Sequence, residues 1–448
     1  MTNVSHNSKE RCKGKNQMIV HLLVTVFGIS TWIGINGIYV QVPVLISTLP
    51  ESWNLPAYLV LVIQAANVGP LLYTILEHFQ WKINDSWLIL CLLVSGSCAM
   101  CLLVFFYSEK TVINGNEYSL SLFILTFFNA LVGCFSSVLF MPYLRNFNKN
   151  YLVSFFIGEG LSGVLPSVVA LFQGIVDMSE CTTYKNDTTD FSKGGLKFSS
   201  NDYFLFIFIV LFLSLTAFLI LEYSSLAENV KDSHKFDNTV SNETSNELNN
   251  THNITNLPLE ETNKDFDHYN NDKKKKNLVT KVQYYLFLLL TICCFFNNGF
   301  FPSIQSYSCL PYGNVAYKLS ITLAQFANPL VCLLAYWFVV SDIRSINYLS
   351  IICLAFGSYV TYLALMSPTP PLQETTLGVF LVVLAWTALT GFISYLKLTI
   401  VSVLRNTMLP KMLFKAGIFM QIGSASGAVL TFVAINFTNY FKMHDNCN

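Results

Sequence analysis

Residues 203–223 read YFLFIFIVLFLSLTAFLILEY, a stretch whose single charge, Glu222, lies next to its end. One helix needs about 20 apolar residues to cross the hydrocarbon core of a membrane. The stretch is therefore predicted to be a transmembrane helix. Comparable apolar runs lie at 18–48, 57–78, 86–107, 119–143, 151–176, 282–306, 316–340, 345–366, 377–403 and 412–437. Together the runs predict an all-α membrane protein of about eleven transmembrane helices, six followed by five.

The composition agrees with a membrane protein. The chain is 53% hydrophobic and 12% charged, with a formal net charge of zero and a mean hydropathy of +0.49. A soluble protein has roughly 25% charged residues. The neutral balance does not indicate a nucleic-acid partner, and membrane lipid is the expected surrounding. The sequence contains no P-loop, GxGxxG, HExxH or metal-ligand cluster, so we expect neither an enzyme nor a bound cofactor.

Charge and low-complexity patterns divide the chain into five segments. Residues 225–280 are rich in Asn and end in four lysines, a composition typical of disorder. The short loops on the N-terminal side of the membrane hold most of the Lys and Arg, which predicts a cytoplasmic N-terminus and an extracellular C-terminus. Asn186 then begins an accessible glycosylation sequon. The predicted segments are a cytoplasmic tail (1–17), a six-helix bundle (18–224), a disordered cytoplasmic loop (225–280), a five-helix bundle (281–440) and an extracellular tail (441–448).

Three short patterns recur in the same order in both bundles. Asn-Gly occurs at 36–37 and 298–299, Gln-x-x-Asn at 64–67 and 325–328, and a Ser-Gly pattern at 160–163 and 424–427. An offset of six helices preserves direction through the membrane, so the repeats are predicted to be parallel, as in major-facilitator transporters. The alternative is that small and amide residues recur in any helical bundle.

Polar side chains inside the apolar runs are the candidate site residues, because burying them in hydrocarbon is unfavourable unless they face the bundle interior. The amides of Asn36, Gln64, Asn67 and Asn298 belong to this group. Packing alone is the alternative, since such amides also bond across helices for about 0.6 kcal/mol each. The two deepest charges, Glu159 and Lys397, are predicted to form a gate or latch across the halves.

Several long blocks resemble a known family. They read YLVLVIQAANVGPLL at 58–72, SFFIGEGLSGVLPSVVALFQG at 154–174 and PSIQSYSCLPYGNVAYKL at 302–319. The chain is similar in these blocks to the animal riboflavin transporters, a solute-carrier family of the plasma membrane. The resemblance implies sodium-independent, facilitated riboflavin uptake by alternating access. This chain departs from the family pattern at Gln41 and Gly133, where many relatives carry acidic residues.

Riboflavin offers a flat ring to stack, an imide edge for amides and a ribityl chain for further hydrogen bonds. The predicted substrate-binding residues supply such groups: Trp32, Asn36, Gln41, Gln64, Asn67, Asn298, Gln305 and Tyr312. A nucleoside or related heterocycle would suit the same groups, and a surface receptor or scaffold that does not transport is the alternative from another class. Comparison with the family leaves Cys447 without an obvious partner. Cys181 and Cys309 are then the remaining cysteine pair on the outer side, and a disulfide between them is predicted.

Overall fold

The structure is a computed structural model that describes residues 17–79, 84–144, 147, 149–174, 196–224, 281–337, 342–407 and 410–443. Helices dominate it, and each of the predicted apolar runs contains at least one. We call residues 17–224 the N-terminal half and residues 281–443 the C-terminal half. The first half contains α1 (Gln17–Ile29), α2 (Ile33–Leu45), α3 (Leu55–Ala66), α4 (Val68–His78), α5 (Asp85–Phe106), α6 (Leu120–Phe135), α7 (Lys149–Gln173) and α8 (Ser200–Tyr223). The second contains α9 (Lys281–Tyr312), α10 (Asn314–Trp337), α11 (Ile343–Leu365), α12 (Thr376–Thr407) and α13 (Pro410–Phe437).

The helices have the length and surface of membrane spans. Among the described residues, eight are long and apolar enough to cross a membrane, and the bent pair α1–α2 makes a ninth. The two further predicted spans correspond to α6, a shorter apolar helix, and to α10. Large apolar side chains such as Phe105, Phe172 and Leu430 are exposed, as expected of surfaces that face lipid. The count of eleven and its division into six and five remain predictions.

The first span is broken in the middle. Its two helices, α1 and α2, meet at a bend of 49°. The hydroxyl of Ser30 donates to the Phe27 carbonyl at 2.6 Å, and that of Thr31 donates to the Gly28 carbonyl at 2.8 Å. Such bonds to the preceding turn compete with the backbone ladder and bend helices. Trp32, the residue before α2, therefore lies at a bend rather than inside a straight helix.

The second span is interrupted at Asn67, between α3 and α4. Pro70 lies three residues further on. A proline has no N–H to donate and its ring clashes with the carbonyl four residues earlier, here that of Ala66. At the same point, the backbone N–H of Asn67 bonds the Gln64 carbonyl at 3.2 Å, which is the tighter spacing of a turn.

Two further irregularities are π-helical turns. One follows α6 at Ser136–Phe140, and a last helical turn at Met141–Tyr143 follows it. The other lies inside α9 at Phe295–Phe300 and contains Asn298. A π-turn adds one residue to a helical turn and is frequent at functional sites. It also rotates the residues after it relative to an ideal helix.

Glycines allow two helix pairs to approach closely. A Cβ atom added at Gly158 on α7 would collide with the Thr25 carbonyl oxygen on α1. In the other half, a Cβ added at Gly423 on α13 would collide with the Thr291 carbonyl oxygen on α9. Each half therefore joins its first span to a later helix through backbone contact, a packing mode common in membranes.

A small surface element and a buried carboxylate complete the N-terminal half. Strands β1 (Thr111–Ile113) and β2 (Asn116–Tyr118) form an antiparallel hairpin through Asn114-Gly115, both with positive φ, as a tight hairpin turn requires. Beside it, the buried carboxylate of Glu51 accepts from the backbone N–H of Ser119 at 2.7 Å and from its hydroxyl at 2.8 Å. These bonds fix the connection before α3 to the start of α6.

Candidate substrate site

An asparagine bonds a serine at the centre of each half. In the N-terminal half, Asn36 Nδ2 on α2 donates to Ser162 Oγ on α7 at 3.2 Å. In the C-terminal half, Asn298 Nδ2 on α9 donates to Ser424 Oγ on α13 at 2.9 Å. Donor and acceptor lie 126 residues apart in both cases. The recurrence of an identical bond at an identical separation supports the sequence repeat.

The pair in the second half corrects the predicted alignment by two residues. The sequence pattern places Ser426 opposite Ser162, whereas the residue that bonds Asn298 is Ser424. The hydroxyl of Ser426 instead donates to the Gly423 carbonyl of its own helix at 3.0 Å. Asn298 lies within the π-turn of α9, and sequence spacing does not register the rotation that this turn introduces.

Two glutamines reach across from one half to the other. Gln325 Nε2 on α10 donates to Asn36 Oδ1 at 3.5 Å, and Gln64 Nε2 on α3 donates to the Asn298 carbonyl at 3.4 Å. Each glutamine thus contacts the asparagine of the opposite half. Asn67 Nδ2 donates to Gln64 Oε1 at 2.8 Å, which confirms that these two side chains share a helix face. We call Asn36, Gln64, Asn67, Asn298 and Gln325 the amide cluster.

A second set of bonds joins the halves near the ends of α7, α9 and α13 and the starts of α3 and α10. We call this end of the molecule the bonded end. There Ser306 Oγ donates to the Trp53 carbonyl at 2.7 Å. The hydroxyl of Tyr307 donates to Asn54 Oδ1, and Asn54 Nδ2 donates to Asn436 Oδ1 at 3.4 Å. These contacts hold the two halves together beyond the amide cluster.

Lys318, the fifth residue of α10, contributes another bond at this end. Its ammonium is almost completely buried and donates to the carbonyl of Gly174, the residue after α7. The negative C-terminal end of the α7 dipole offsets part of the cost of burying this cation. Lys318 lies inside the apolar run 316–340, which agrees with its burial.

Four predicted binding residues lie outside the amide cluster: Gln41, Tyr312, Gln305 and Trp32. Gln41 is completely buried and donates from Nε2 to Ser200 Oγ at 2.8 Å, inside the N-terminal half, because α2 turns this face towards α8. The hydroxyl of Tyr312 donates to the Pro371 carbonyl at 2.7 Å, within the C-terminal half. Gln305 is buried on α9, near the bonded end, and its side chain has no hydrogen-bond partner among the described residues.

Trp32 occupies the space that Gly133 leaves open. A Cβ atom added at Gly133 on α6 would lie 2.8 Å from the Trp32 ring and 2.9 Å from the Thr31 carbonyl oxygen. The departure from the family pattern at Gly133 therefore has a steric consequence, since any side chain here must displace the indole. The ring packs against an apolar cluster with Ile35, Ile63 and neighbouring residues.

The predicted pairing of Glu159 with Lys397 is not seen among the described residues. Both residues are described, and the ion pair found among the described residues joins Lys110 to Glu117 at 3.1 Å instead. Glu159 lies on α7 and Lys397 on α12, and no ion pair joins them among the described residues. A gate role for either residue remains a prediction.

Several predicted features fall outside the described residues. They are the sequon at Asn186, the loop 225–280, Cys181 and Cys447. Cys309 is described and is a free, fully buried thiol with its Sγ 3.7 Å from Ser308 Oγ, so the structure gives no support to a disulfide with Cys181.

Comparison with known proteins agrees with this arrangement. The family model described as "Solute carrier family 52, riboflavin transporter" matches residues 16–443. The zebrafish (Danio rerio) riboflavin transporter member 3-A is 36% identical, over 96% of this chain and 98% of that protein. The human (Homo sapiens) member 3 is 32% identical, over 96% and 98%.

Solved structures show the same fold at low identity. A point mutant of the nucleoside transporter NupG superposes with a TM-score of 0.51 at 11% identity, over 95% of this chain and 94% of that one. A bacterial homologue of the human lysosomal transporter Spinster gives 0.52 at 12%, over 95% and 82%. The fold is therefore that of a membrane transporter, and the match to the family model extends through both halves. The chain belongs to solute carrier family 52, the riboflavin transporter family.

Proposed function

We propose that the chain carries riboflavin across the plasma membrane as a sodium-independent, facilitated transporter that works by alternating access. The amide cluster carries this proposal: side chains from both halves meet there in reciprocal pairs, in a chain whose family match covers both halves. Transporter sites lie between repeats near the middle of the membrane.

The chemistry of the cluster suits this substrate. Riboflavin is neutral, and the cluster consists of amides, without a charged group, bonded to the hydroxyls of Ser162 and Ser424. Amides both donate and accept hydrogen bonds, so they match an imide edge and a polyhydroxyl chain. Trp32 lies one turn before Asn36, and the Trp32 ring is partly exposed, so it is a candidate surface for ring stacking.

The contacts between the halves suggest how access alternates. Cross-half hydrogen bonds join the described residues at the amide cluster and at the bonded end. If the halves rock about the cluster, these bonds must break for the bonded end to open. With the N-terminus in the cytosol, α2 ends at the outer surface, so the bonded end faces outwards and this conformation is closed on that side.

The remaining details of the proposal concern topology. We infer eleven membrane passes as six plus five in two parallel repeats, a cytoplasmic N-terminus and an extracellular C-terminus. Asn186 then lies in an extracellular loop and carries a glycan. Membrane lipid and riboflavin are the proposed partners, without a resident cofactor or enzymatic activity.

Uptake of labelled riboflavin into cells that express the chain tests the proposal. We expect uptake above vector cells, abolished by excess unlabelled riboflavin, resistant to excess nucleosides and unchanged when sodium is replaced by choline. If nucleosides compete as well as riboflavin, the protein is a transporter of nucleosides or related heterocycles. Surface expression with riboflavin binding and no uptake would indicate a receptor.

A further inference from the structure

The two glutamines of the amide cluster differ in how much of their hydrogen-bonding capacity the protein uses. Gln64 donates to the Asn298 carbonyl and accepts from Asn67, so both ends of its amide are engaged. Gln325 only donates to Asn36, at 3.5 Å. Its Oε1 accepts no hydrogen bond from the described residues. The Gln325 amide therefore has an unused acceptor and one long donor bond, so a ligand can form hydrogen bonds with it.

The bonds that the two glutamines make across the halves are long, at 3.5 Å from Gln325 to Asn36 Oδ1 and 3.4 Å from Gln64 to the Asn298 carbonyl. N–H···O bonds in proteins are usually about 2.7–3.2 Å long. The bonds within the halves fall in that range, with 3.2 Å for Asn36 to Ser162 and 2.9 Å for Asn298 to Ser424. The bond from Gln325 to Asn36 is therefore more easily replaced than these. Asn36 stays fixed by Ser162 when Gln325 turns away.

The unused oxygen of Gln325 fills the space that Gly163 leaves open. A Cβ atom added at Gly163 on α7 would lie 2.7 Å from Gln325 Oε1 and 3.5 Å from Asn36 Nδ2. The Gln325 amide therefore lies over a glycine of the opposite half, and both Gln325 and Asn36 are partly exposed. The position of Oε1 depends on the absence of a side chain there.

We propose that Gln325 is the residue that recognises the imide edge of the isoalloxazine ring. This inference rests on the proposed riboflavin transport. The edge presents a carbonyl, an N–H and a second carbonyl in a row. Gln325 Oε1 accepts from the ring N3–H, and Nε2 donates to the adjacent ring carbonyl. Binding exchanges the bond between Gln325 and Asn36 for a two-bond pair with the substrate, and so loosens one of the cross-half contacts.

A riboflavin analogue methylated at N3 tests this pairing, because it lacks the N–H donor. The measurement is the ratio of the inhibition constants of the analogue and of riboflavin, against labelled riboflavin uptake. In the unaltered chain, we expect the analogue to be about tenfold weaker, the value of one hydrogen bond. In Gln325→Ala, we expect the ratio to fall to about one. Gln421→Ala, the same change on α13 outside the cluster, is the control and keeps the original ratio.

Binding by purified protein extends the test to variants that no longer transport. Quenching of riboflavin fluorescence in detergent gives the same ratio from dissociation constants. Gly163→Ala, which displaces Oε1 without removing it, is expected to lower the ratio as well. An unchanged ratio in Gln325→Ala, or an analogue that competes as well as riboflavin in the unaltered chain, overturns the pairing while riboflavin uptake stands. Absence of uptake and binding in the unaltered chain instead overturns the proposed function.

Discussion

At the residue scale, the buried ammonium of Lys318 has the clearest energetic consequence. A buried cation that donates to one carbonyl forgoes much of its hydration, and the described residues provide no carboxylate partner at this site. Replacement of even a paired set of buried charges by apolar side chains of similar size is often neutral or stabilising, by about 1–4 kcal/mol. Lys318 therefore makes the bonded end less stable than a fully apolar contact would.

We predict that Lys318→Met raises the melting temperature of the purified protein by a few degrees and slows riboflavin uptake. The bonded end would stay closed for longer, because opening no longer returns an ammonium to water. Melting curves in detergent and initial uptake rates, corrected for surface level, measure the two effects. Lys110→Met, at an exposed ion pair, is the control and should change neither. A lower melting temperature in Lys318→Met would show that the bond to Gly174 outweighs the burial of the charge.

Individual residues also show how much of the candidate site can be predicted from the sequence. Intramembrane polarity indicates Asn36, Gln64, Asn67 and Asn298, and these four meet in the amide cluster because each is an amide that must find a polar neighbour in an apolar run. Polarity alone cannot separate them from Gln41, whose partner Ser200 belongs to a helix far along the chain. Nor can it pair a buried charge with a partner, because the distance between α7 and α12 depends on packing rather than on spacing.

At the scale of elements, the amide cluster coincides with interruptions of helices. Asn67 lies between α3 and α4, Asn298 lies in the π-turn of α9, and Asn36 follows the bend between α1 and α2 by one turn. Broken helices are a common source of transporter binding sites, because they turn polar groups towards the pathway. Apolar runs predict where such helices lie but do not show where they bend.

We predict that Pro70→Ala lowers riboflavin uptake several-fold without reducing surface expression. Alanine restores an N–H that can bond the Ala66 carbonyl, so α3 and α4 would join and Asn67 would turn relative to Gln64. Pro56→Ala is the matched control, because Pro56 lies in the first turn of α3, where a missing N–H is of little consequence. Normal uptake in Pro70→Ala would show that the interruption at Asn67 is not needed for transport.

At the scale of the whole molecule, the repeat relates the two halves and the bonded end joins them. The apolar runs and the recurrent Asn-Gly pattern were sufficient to predict a transporter-like helical fold. The conformation was not predictable, because the same sequence must support more than one arrangement of the halves. Residues such as Trp53 and Ser306, which meet only when the bonded end is closed, carry no local signal of their contact.

A cross-link across the bonded end would test whether this end must open. We predict that cysteines at positions 54 and 436, joined by a short bifunctional thiosulfonate, abolish uptake, and that a reductant restores it. The two asparagine side chains lie 3.4 Å apart in this structure, so a short linker can span the cysteines that replace them. Each single variant, treated with the same reagent, is the control and should keep transporting. Full uptake by the cross-linked protein would contradict alternating access through this end.

The contacts of Gly158 with Thr25 and of Gly423 with Thr291 have a consequence for inheritance. Any single-base change in a glycine codon that alters the amino acid adds at least a Cβ atom. At these two codons every such change forces two helices apart at the backbone, whatever the chemistry of the new side chain. Harmful alleles of the gene are therefore expected at these glycines as well as at the amide cluster. Tolerated variants are expected on the lipid-facing surface.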